Sequence, residues 1–360
     1  MTKKINFAFD RRIKNGYYTA AYFNKTTKLA KKYKPLDIVC LQFIHFTHEP
    51  VKICGISEIV ALLKQTIPPL HLKQIKVYGR KDGDLIKANQ PVLLIIGPYH
   101  LFGYLENIID GILARRTSVC NNCYQVLKLI KSSQLIYMAD RTDDYLLQPF
   151  DGYAAYLAGV RQFVTDASAS LIKNDPTVKV TGTMPHALIQ LFDGKLNDAL
   201  NAYIKEFGSK NAIALIDYHN DIEQEIKLLA KQFKHLFAVR LDTSGSLVDK
   251  SLLRHYHQQK NNSQIRGVNP LLVKHARKLL DAYGLPRTKI IVSSGIDVTK
   301  IKNFIAHHAP VDFYGIGSSL ITRNVHFTAD LVLKNNKRQA KYGRKLFIDI
   351  NKIKNLCMYI

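Results

Sequence analysis

The chain has 360 residues, 47% of them hydrophobic and 10% aromatic, which is enough to bury a real core and excludes a disordered chain. Its formal charge of +24 favours polyanionic partners, so nucleic acid and a small polyphosphate both fit. Lys and Arg are scattered, however, with short runs at Lys31-Lys32 and Lys337-Arg338, no dense basic tail and no known nucleic-acid motif.

At roughly 150 residues per domain the length suggests about two domains. No apolar run approaches the roughly 18 residues needed to cross a bilayer. The basic stretch 1–14 has no apolar run after it, which argues against a secretory signal. The expectation is therefore a cytoplasmic chain with no membrane contact. The cysteines Cys40, Cys54, Cys120, Cys123 and Cys357 are odd in number and sparse, unlike a disulfide framework. Cys120 and Cys123 form a C-x-x-C, but no second pair completes a zinc site and the motif lies in a helical stretch, so ordinary reduced thiols are expected.

Taken in chain order, residues 17–33 carry apolar side chains at helical spacing, with Thr19 near the start. Residues 37–46 are an apolar run of strand type, and 57–63 reads as a helix with Ser57 as its N-cap. Residues 74–78 alternate as a strand; 91–97, the longest apolar run, is a stronger one ended by Gly97-Pro98. Residues 100–133 form a long helical stretch, as one helix or two. The rhythm then changes to short apolar strands that end on polar or glycine residues and lead into helices. Such strands are expected at 179–183, 212–216, 236–241, 289–292 and 311–314, with helices at 222–233, 269–283 and 298–307. An open doubly wound sheet gathers its chemistry at one switch point, whereas polar motifs after five successive strands fit a (β/α) barrel, whose site draws on many βα loops. After residue 328 the chain turns basic, and 331–335 and 345–350 read as strands returning to the first domain. The organisation expected is an N-terminal α/β sandwich-like domain with a linking helix (1–133), a (β/α) barrel-type catalytic domain (134–328) and a C-terminal segment (329–360).

Four segments carry candidate chemistry. In Gly182-Thr183-Met184-Pro185-His186-Ala187 a glycine-threonine turn at a strand end brings backbone and hydroxyl groups near a ligand, and His186 can act as a general base or phosphoryl acceptor. The same run also reads as a helix-capping turn with a solvated histidine. In Val239-Arg240-Leu241-Asp242-Thr243-Ser244-Gly245 two opposite charges close an apolar strand, which is costly unless they are paired or functional. Arg240 can grip a carboxylate through its fork, and Asp242 can accept ribose hydroxyls or help hold a metal-phosphate; an ion pair at a barrel rim is the plainer reading. Ser293-Ser294-Gly295 and Gly315-Ile316-Gly317-Ser318-Ser319 follow the last two strong strands, where barrels place a phosphate nest, although tight packing turns give the same pattern. The fourth, residues 139–145, is a polar loop in which Arg141 is an anion-binding candidate.

At these residues the chain resembles nicotinate phosphoribosyltransferases along nearly its whole length. The matching runs include Tyr22-Phe23, Gly97-Pro98-Tyr99, Asp140-Arg141, Asp151-Gly152-Tyr153-Ala154-Ala155, Thr165-Asp166-Ala167, the 182–189 segment, Val239-Arg240-Leu241-Asp242-Thr243-Ser244, Gly267-Val268-Asn269-Pro270, Ser294-Gly295 and Tyr314-Gly315-Ile316-Gly317-Ser318. The resemblance implies a barrel-type phosphoribosyltransferase domain that joins nicotinate to phosphoribosyl pyrophosphate (PRPP), consumes ATP, needs Mg²⁺ and yields nicotinate mononucleotide for NAD biosynthesis. It implies that His186 is phosphorylated and that Arg240 and Asp242 lie near the pyridine and ribose, Asp242 acting with His186 in catalysis. Tyr22, Arg141 and Thr183 would line the substrate pocket, and Ser294, Gly295, Gly317 and Ser318 would take the 5′-phosphate. It further implies a homodimer or higher homo-oligomer in which the partner chain lids each site, with no resident metal ligand in the chain and no nucleic acid. Ala20, Thr142 and Asp144 depart from the family pattern, where an Asp, an aromatic and a His are usual. A quinolinate phosphoribosyltransferase, or a non-catalytic basic protein that binds nucleic acid, are the competing readings.

Overall fold

The computed structural model describes residues 6–182, 184–255, 265–348 and 356–360. A 3-10 turn at Arg11–Asn15 precedes helix α1 (Ala21–Tyr33), which starts later than its apolar spacing suggests. The Thr19 hydroxyl donates to the Tyr104 carbonyl and the Ala20 N–H donates to the Asn107 side chain, so the entry to α1 is tied down from outside the helix. No residue of α1 is buried, although it carries Tyr22, Phe23, Leu29 and Tyr33. Strands β1 (Ile38–His45) and β2 (Val51–Lys52) and helices α2 (Ile56–Thr66) and α3 (Pro69–Leu72) follow, then β3 (Lys76–Gly79), β4 (Leu85–Ile86) and β5 (Leu93–Pro98).

The start of α2 corrects the expected Ser57 cap. Its N-cap is Gly55, whose φ of 114° suits glycine. The orphan N–H groups of Ile56 and Ser57 donate instead to the Asp82 carboxylate, at 2.8 and 2.9 Å, from a distant loop. The long helical stretch becomes two 3-10 turns and then α4 (Glu106–Leu127). Cys120 and Cys123 sit on its buried face. Burial pushes the Cys120 thiol up to about 12 and the Cys123 thiol well above its ordinary value, so both remain protonated packing groups.

The second half builds a parallel sheet. Its elements are β6 (Leu135–Tyr137), α5 (Gln148–Ala158), β7 (Gln162–Phe163), α6 (Asp166–Ala169), β8 (Lys179–Val180), α7 (His186–Leu191), α8 (Leu196–Phe207), β9 (Ile213–Leu215), α9 (Ile222–Gln232), β10 (Ala238–Leu241), α10 (Lys250–His255), α11 (Pro270–Ala282), β11 (Lys289–Val292), α12 (Val298–Ala306), β12 (Phe313–Ile316) and α13 (Ser318–Ile321). The strand order is β8-β7-β6-β12-β11-β10-β9, with every neighbouring pair parallel. Cyclic succession of this kind curls the sheet into a half-barrel, with β8 and β9 as its two edges among the described residues. β6 and β7, of three and two residues, are too short to give a periodic signal and were absent from the strands expected. Helices α9, α11 and α12 start on Asp221, Asn269 and Asp297, each accepting an N–H three residues on.

The chain then returns to its first half. β13 (Phe327–Lys334) pairs antiparallel with β1, β14 (Lys337–Arg338) forms a hairpin with β13, and β15 (Cys357–Met358) adds to β3. The resulting antiparallel sheet runs β14-β13-β1-β5-β3-β15. Of the second strand expected at 345–350, residues 349–350 lie outside the described residues, and 345–348 form no strand but bracket the buried Gln42 side chain, which exchanges hydrogen bonds with the Lys345 carbonyl and Phe347 N–H. Period-two alternation along β1 sends Val39, Leu41 and Phe43 into the core beneath α2 and α4. Cys40 goes to the opposite face, where Leu333, Leu346, Ile348 and Leu356 cover it.

A buried ionic network joins the halves. Arg116 on α4 meets Glu58 of α2 at 2.9 Å and Asp151 of α5 at 3.0 Å, and Arg115 reaches Asp151 at 2.6 Å. On another side of α5, Gly152 lets α6 pack closely: a Cβ there would lie 1.9 Å from the Ser168 carbonyl oxygen. Among the described residues no helix is long and apolar enough to cross a membrane.

Candidate active site

The residues singled out in the second half follow the C-terminal ends of the parallel strands, the face on which barrels build active sites. Asp217 lies just beyond β9, Asp242 just beyond β10, Ser293 to Gly295 beyond β11, Gly317 beyond β12 and Arg141 in the loop after β6. His186 opens α7. Thr183 falls outside the described residues.

His186 Nε2 faces Asp217 Oδ1 at 3.2 Å. The imidazole is two-fifths exposed, whereas the carboxylate is buried at 7%. Burial raises the Asp217 carboxyl above the ordinary range; His186 pulls it down and the nearby Asp242 pushes it up. Sequence reasoning passed over Asp217 because a lone Asp after a strand looks like a loop residue; the signal was its equivalence with Asp242, a carboxylate closing the neighbouring strand.

Arg240 is a half-buried arginine with incomplete bonding. One Nη donates to the Met184 carbonyl at 3.3 Å and lies 3.8 Å from Asp242 Oδ2, while Nε has no partner. Burial lowers its pKa, opposed by Asp242 and Asp217 and reinforced by Arg141, which places all four charges within one field. Asp242 accepts from the Ser293 hydroxyl at 2.7 Å, and the buried Thr243 hydroxyl next to it has no partner. Buried polar groups are normally satisfied, and these two orphans lie three residues apart at one strand end. The rim ion pair anticipated for Arg240 and Asp242 is present, but at 3.8 Å it does not saturate either group.

The glycine turns behave differently from each other. Ser294 and Gly295 both adopt left-handed backbone, with φ of 72° and 63°, and a non-glycine residue there stores strain that tends to accompany function. Lys300 Nζ donates to the Ser294 carbonyl at 3.2 Å, adding a cation that sequence reading missed because it lies five residues past the motif, in the first turn of α12. At Gly317 a Cβ would stand 2.7 Å from the Met138 carbonyl oxygen and 3.7 Å from the Thr142 hydroxyl, so close packing against the Arg141 loop already requires glycine there; Ser318 starts α13 beside it. Arg141 itself is exposed. Asp144 caps the 3-10 turn Tyr145–Leu147 by accepting the Leu146 N–H at 2.8 Å.

Tyr22 does not join this group within one chain. It is 64% exposed, packs on Phe23 and lines a groove of about 640 Å³ between α1 and the antiparallel sheet, shared with Tyr99, Glu106 and Leu331.

Comparison with known proteins finds sequence relatives and solved structures of the same fold. Residues 38–117 match the family model described as the N-terminal domain of quinolinate phosphoribosyl transferase. A nicotinate phosphoribosyltransferase of Bacillus subtilis is 25% identical over 246 residues, which is 68% of this chain and 45% of that protein. A Mycobacterium tuberculosis nicotinate phosphoribosyltransferase is 26% identical over 288 residues, 76% of this chain and 57% of that protein. The chain is similar in sequence to nicotinate phosphoribosyltransferases. It spans about half the length of the curated relatives it matches. Among solved structures, a nicotinate-nucleotide pyrophosphorylase from Pyrococcus furiosus superposes with a TM-score of 0.76 at 26% identity, covering 96% of this chain and 82% of that one. Human nicotinic acid phosphoribosyltransferase shares the fold, with a TM-score of 0.64 at 15% identity over 91% of this chain and 77% of that one.

Proposed function

We propose that the chain is a nicotinate phosphoribosyltransferase, which joins nicotinate to PRPP with ATP as a second phosphate donor and makes nicotinate mononucleotide for NAD biosynthesis. The observation that carries the reading is the half-buried, half-satisfied Arg240 guanidinium beside Asp242 at the mouth of a curled parallel sheet. Its fork suits a ring carboxylate, and fixing that carboxylate orients the pyridine nitrogen. The nitrogen lone pair attacks C1 of the ribose as the C1–O bond breaks and its electron pair leaves with pyrophosphate. Positive charge grows on the sugar in the transition state, where the Asp242 carboxylate, held by Ser293, opposes it and accepts ribose hydroxyls. Ser294, Gly295, Gly317 and Ser318, with Lys300, supply backbone and side-chain donors for the 5′-phosphate. Arg141 and Thr183 complete the substrate pocket in this reading.

His186 takes the γ-phosphoryl of ATP. The Nε2–H donated to Asp217 fixes the tautomer, so Nδ1 keeps the lone pair that attacks phosphorus, and ADP leaves with the electrons of the broken P–O bond. Mg²⁺ prefers carboxylate and phosphate oxygens, and the strand-end carboxylates Asp217 and Asp242 fit it; when bound it would neutralise charge on the pyrophosphate.

A quinolinate phosphoribosyltransferase is the second reading, favoured by the description of the family model over residues 38–117. It would need grips for two carboxylates, whereas Arg240 offers one fork. The test is mononucleotide formation from nicotinate and PRPP by the wild type and Arg240→Lys. A point charge cannot replace the planar fork, so kcat/KM for nicotinate should fall at least about tenfold, chiefly through KM. Unchanged kinetics would remove Arg240 from the carboxylate site.

A further inference from the structure

Away from the barrel mouth, three helices bring together a metal-ligand set. Glu223 lies in the first turn of α9, His255 is the last residue of α10 and His275 lies inside α11. Glu223 Oε2 stands 3.5 Å from His255 Nε2. The His255 and His275 rings are 5.0 Å apart at their centroids, inclined at 60°. One ligand atom from each of the three residues lies within 4.8 Å of the other two. His275 Nε2 is buried with no hydrogen-bond partner, an unsatisfied nitrogen beside the other two residues. Arg254 donates to Asp221 at 2.7 Å and to Glu223 Oε2 at 2.8 Å, which holds the Glu223 carboxylate in place beside the histidines.

We propose that Glu223, His255 and His275 bind one divalent cation of the zinc class. Two imidazoles and one carboxylate are the borderline donor set that holds Zn²⁺ at about 2.0–2.2 Å with water in the fourth position. Tetrahedral coordination at that length sets ligand atoms roughly 3.3 Å apart, so the Glu223–His255 separation already fits, and the half-exposed His255 side chain is free to close the remaining gap. Mg²⁺ wants an oxygen shell and does not compete for two ring nitrogens. The site also has a structural consequence. α10 directly follows the loop that carries Asp242, and Asp249 at the end of that loop accepts N–H groups from both Ile222 and Ser251. A bound cation would pin α10 to α9 and α11 and so steady the loop from behind.

The experiment titrates the full chain, stripped with a chelator, with Zn²⁺ against a chromophoric zinc competitor, in parallel with His255→Asn, His275→Asn, Glu223→Gln and a Cys120→Ser/Cys123→Ser control. One zinc per chain is expected for the wild type and the cysteine control, undisturbed by excess Mg²⁺, with at least tenfold weaker binding in each of the three ligand variants. His255 is half exposed, so its variant keeps the fold and decides alone if His275→Asn does not fold. Wild-type zinc affinity in His255→Asn, or no zinc bound by the wild type, would overturn the assignment.

Discussion

His186 and Asp217 meet at 3.2 Å beside the edge strands β8 and β9, and much of the proposed chemistry at the residue scale turns on that contact. Asp217 is buried and hydrogen-bonded to His186, so in the proposed chemistry it orients the imidazole while His186, the more exposed partner, meets the phosphoryl donor. His186→Ala should therefore abolish acid-labile labelling of the protein from γ-labelled ATP. Asp217→Asn should label more slowly by about one to two orders of magnitude while still folding, because an amide can hold the wrong tautomer. Undiminished labelling of His186→Ala would refute the phosphohistidine. His186, Arg240 and Asp242 were legible in the sequence because polar residues at the ends of apolar strands are expensive without a purpose. Asp217 and Lys300 were not: one resembles an ordinary loop aspartate and the other an exposed helix lysine until the fold sets them beside His186 and Ser294. The motif at Gly317 carried two readings at once, and Met138 shows that packing is a sufficient reason for that glycine whether or not phosphate also binds there.

Among the elements, the strongly periodic segments were readable and the non-local ones were not. The runs behind β1, β5, β10 and β11 appear where apolar patterning put them, since burial on both faces of a strand leaves a continuous signal. β6 and β7 depend on neighbours for their hydrogen bonds and leave almost none. The strand paired with β13 lies at 337–338, earlier than patterning placed it, because Asn335 and Asn336, both at positive φ, make the hairpin turn directly after β13. The cap of α2 offers the sharpest separation of local from tertiary cause. Asp82 receives two backbone N–H groups there, whereas Ser57 receives none from its own helix start. Asp82→Ala should destabilise the protein by about 1–2 kcal/mol in denaturant unfolding, and Ser57→Ala by less than about 0.5 kcal/mol. Equal effects would show that the carboxylate does not cap the helix.

For the whole molecule, the exposed apolar face of α1 is the feature one chain leaves unexplained. Tyr22, Leu29 and Tyr33 are each more than half exposed, next to a groove lined by Phe23, Tyr99 and Leu331. In the homodimer that the family resemblance implies, this face would be covered, and Tyr22 of one chain would close the barrel mouth of the other against water. Mixing tests it: Tyr22→Ala and His186→Ala should each lack ATP-dependent turnover, and after co-refolding at equal amounts about a quarter of the sites should be wild type if chains pair at random. Heterodimers as inactive as both parents would rule out shared sites. The charge of +24 fits a heavily anionic substrate set as well as it fits nucleic acid, so charge by itself does not choose between them. The central claim is the identity of the pyridine, and the most direct measurement offers the protein nicotinate and quinolinate together, each ring carrying a different isotope, with PRPP, Mg²⁺ and ATP, and reads the mass of the mononucleotide formed. The account predicts product carrying the nicotinate label with no release of carbon dioxide; product carrying the quinolinate label, with carbon dioxide released in step, would contradict it.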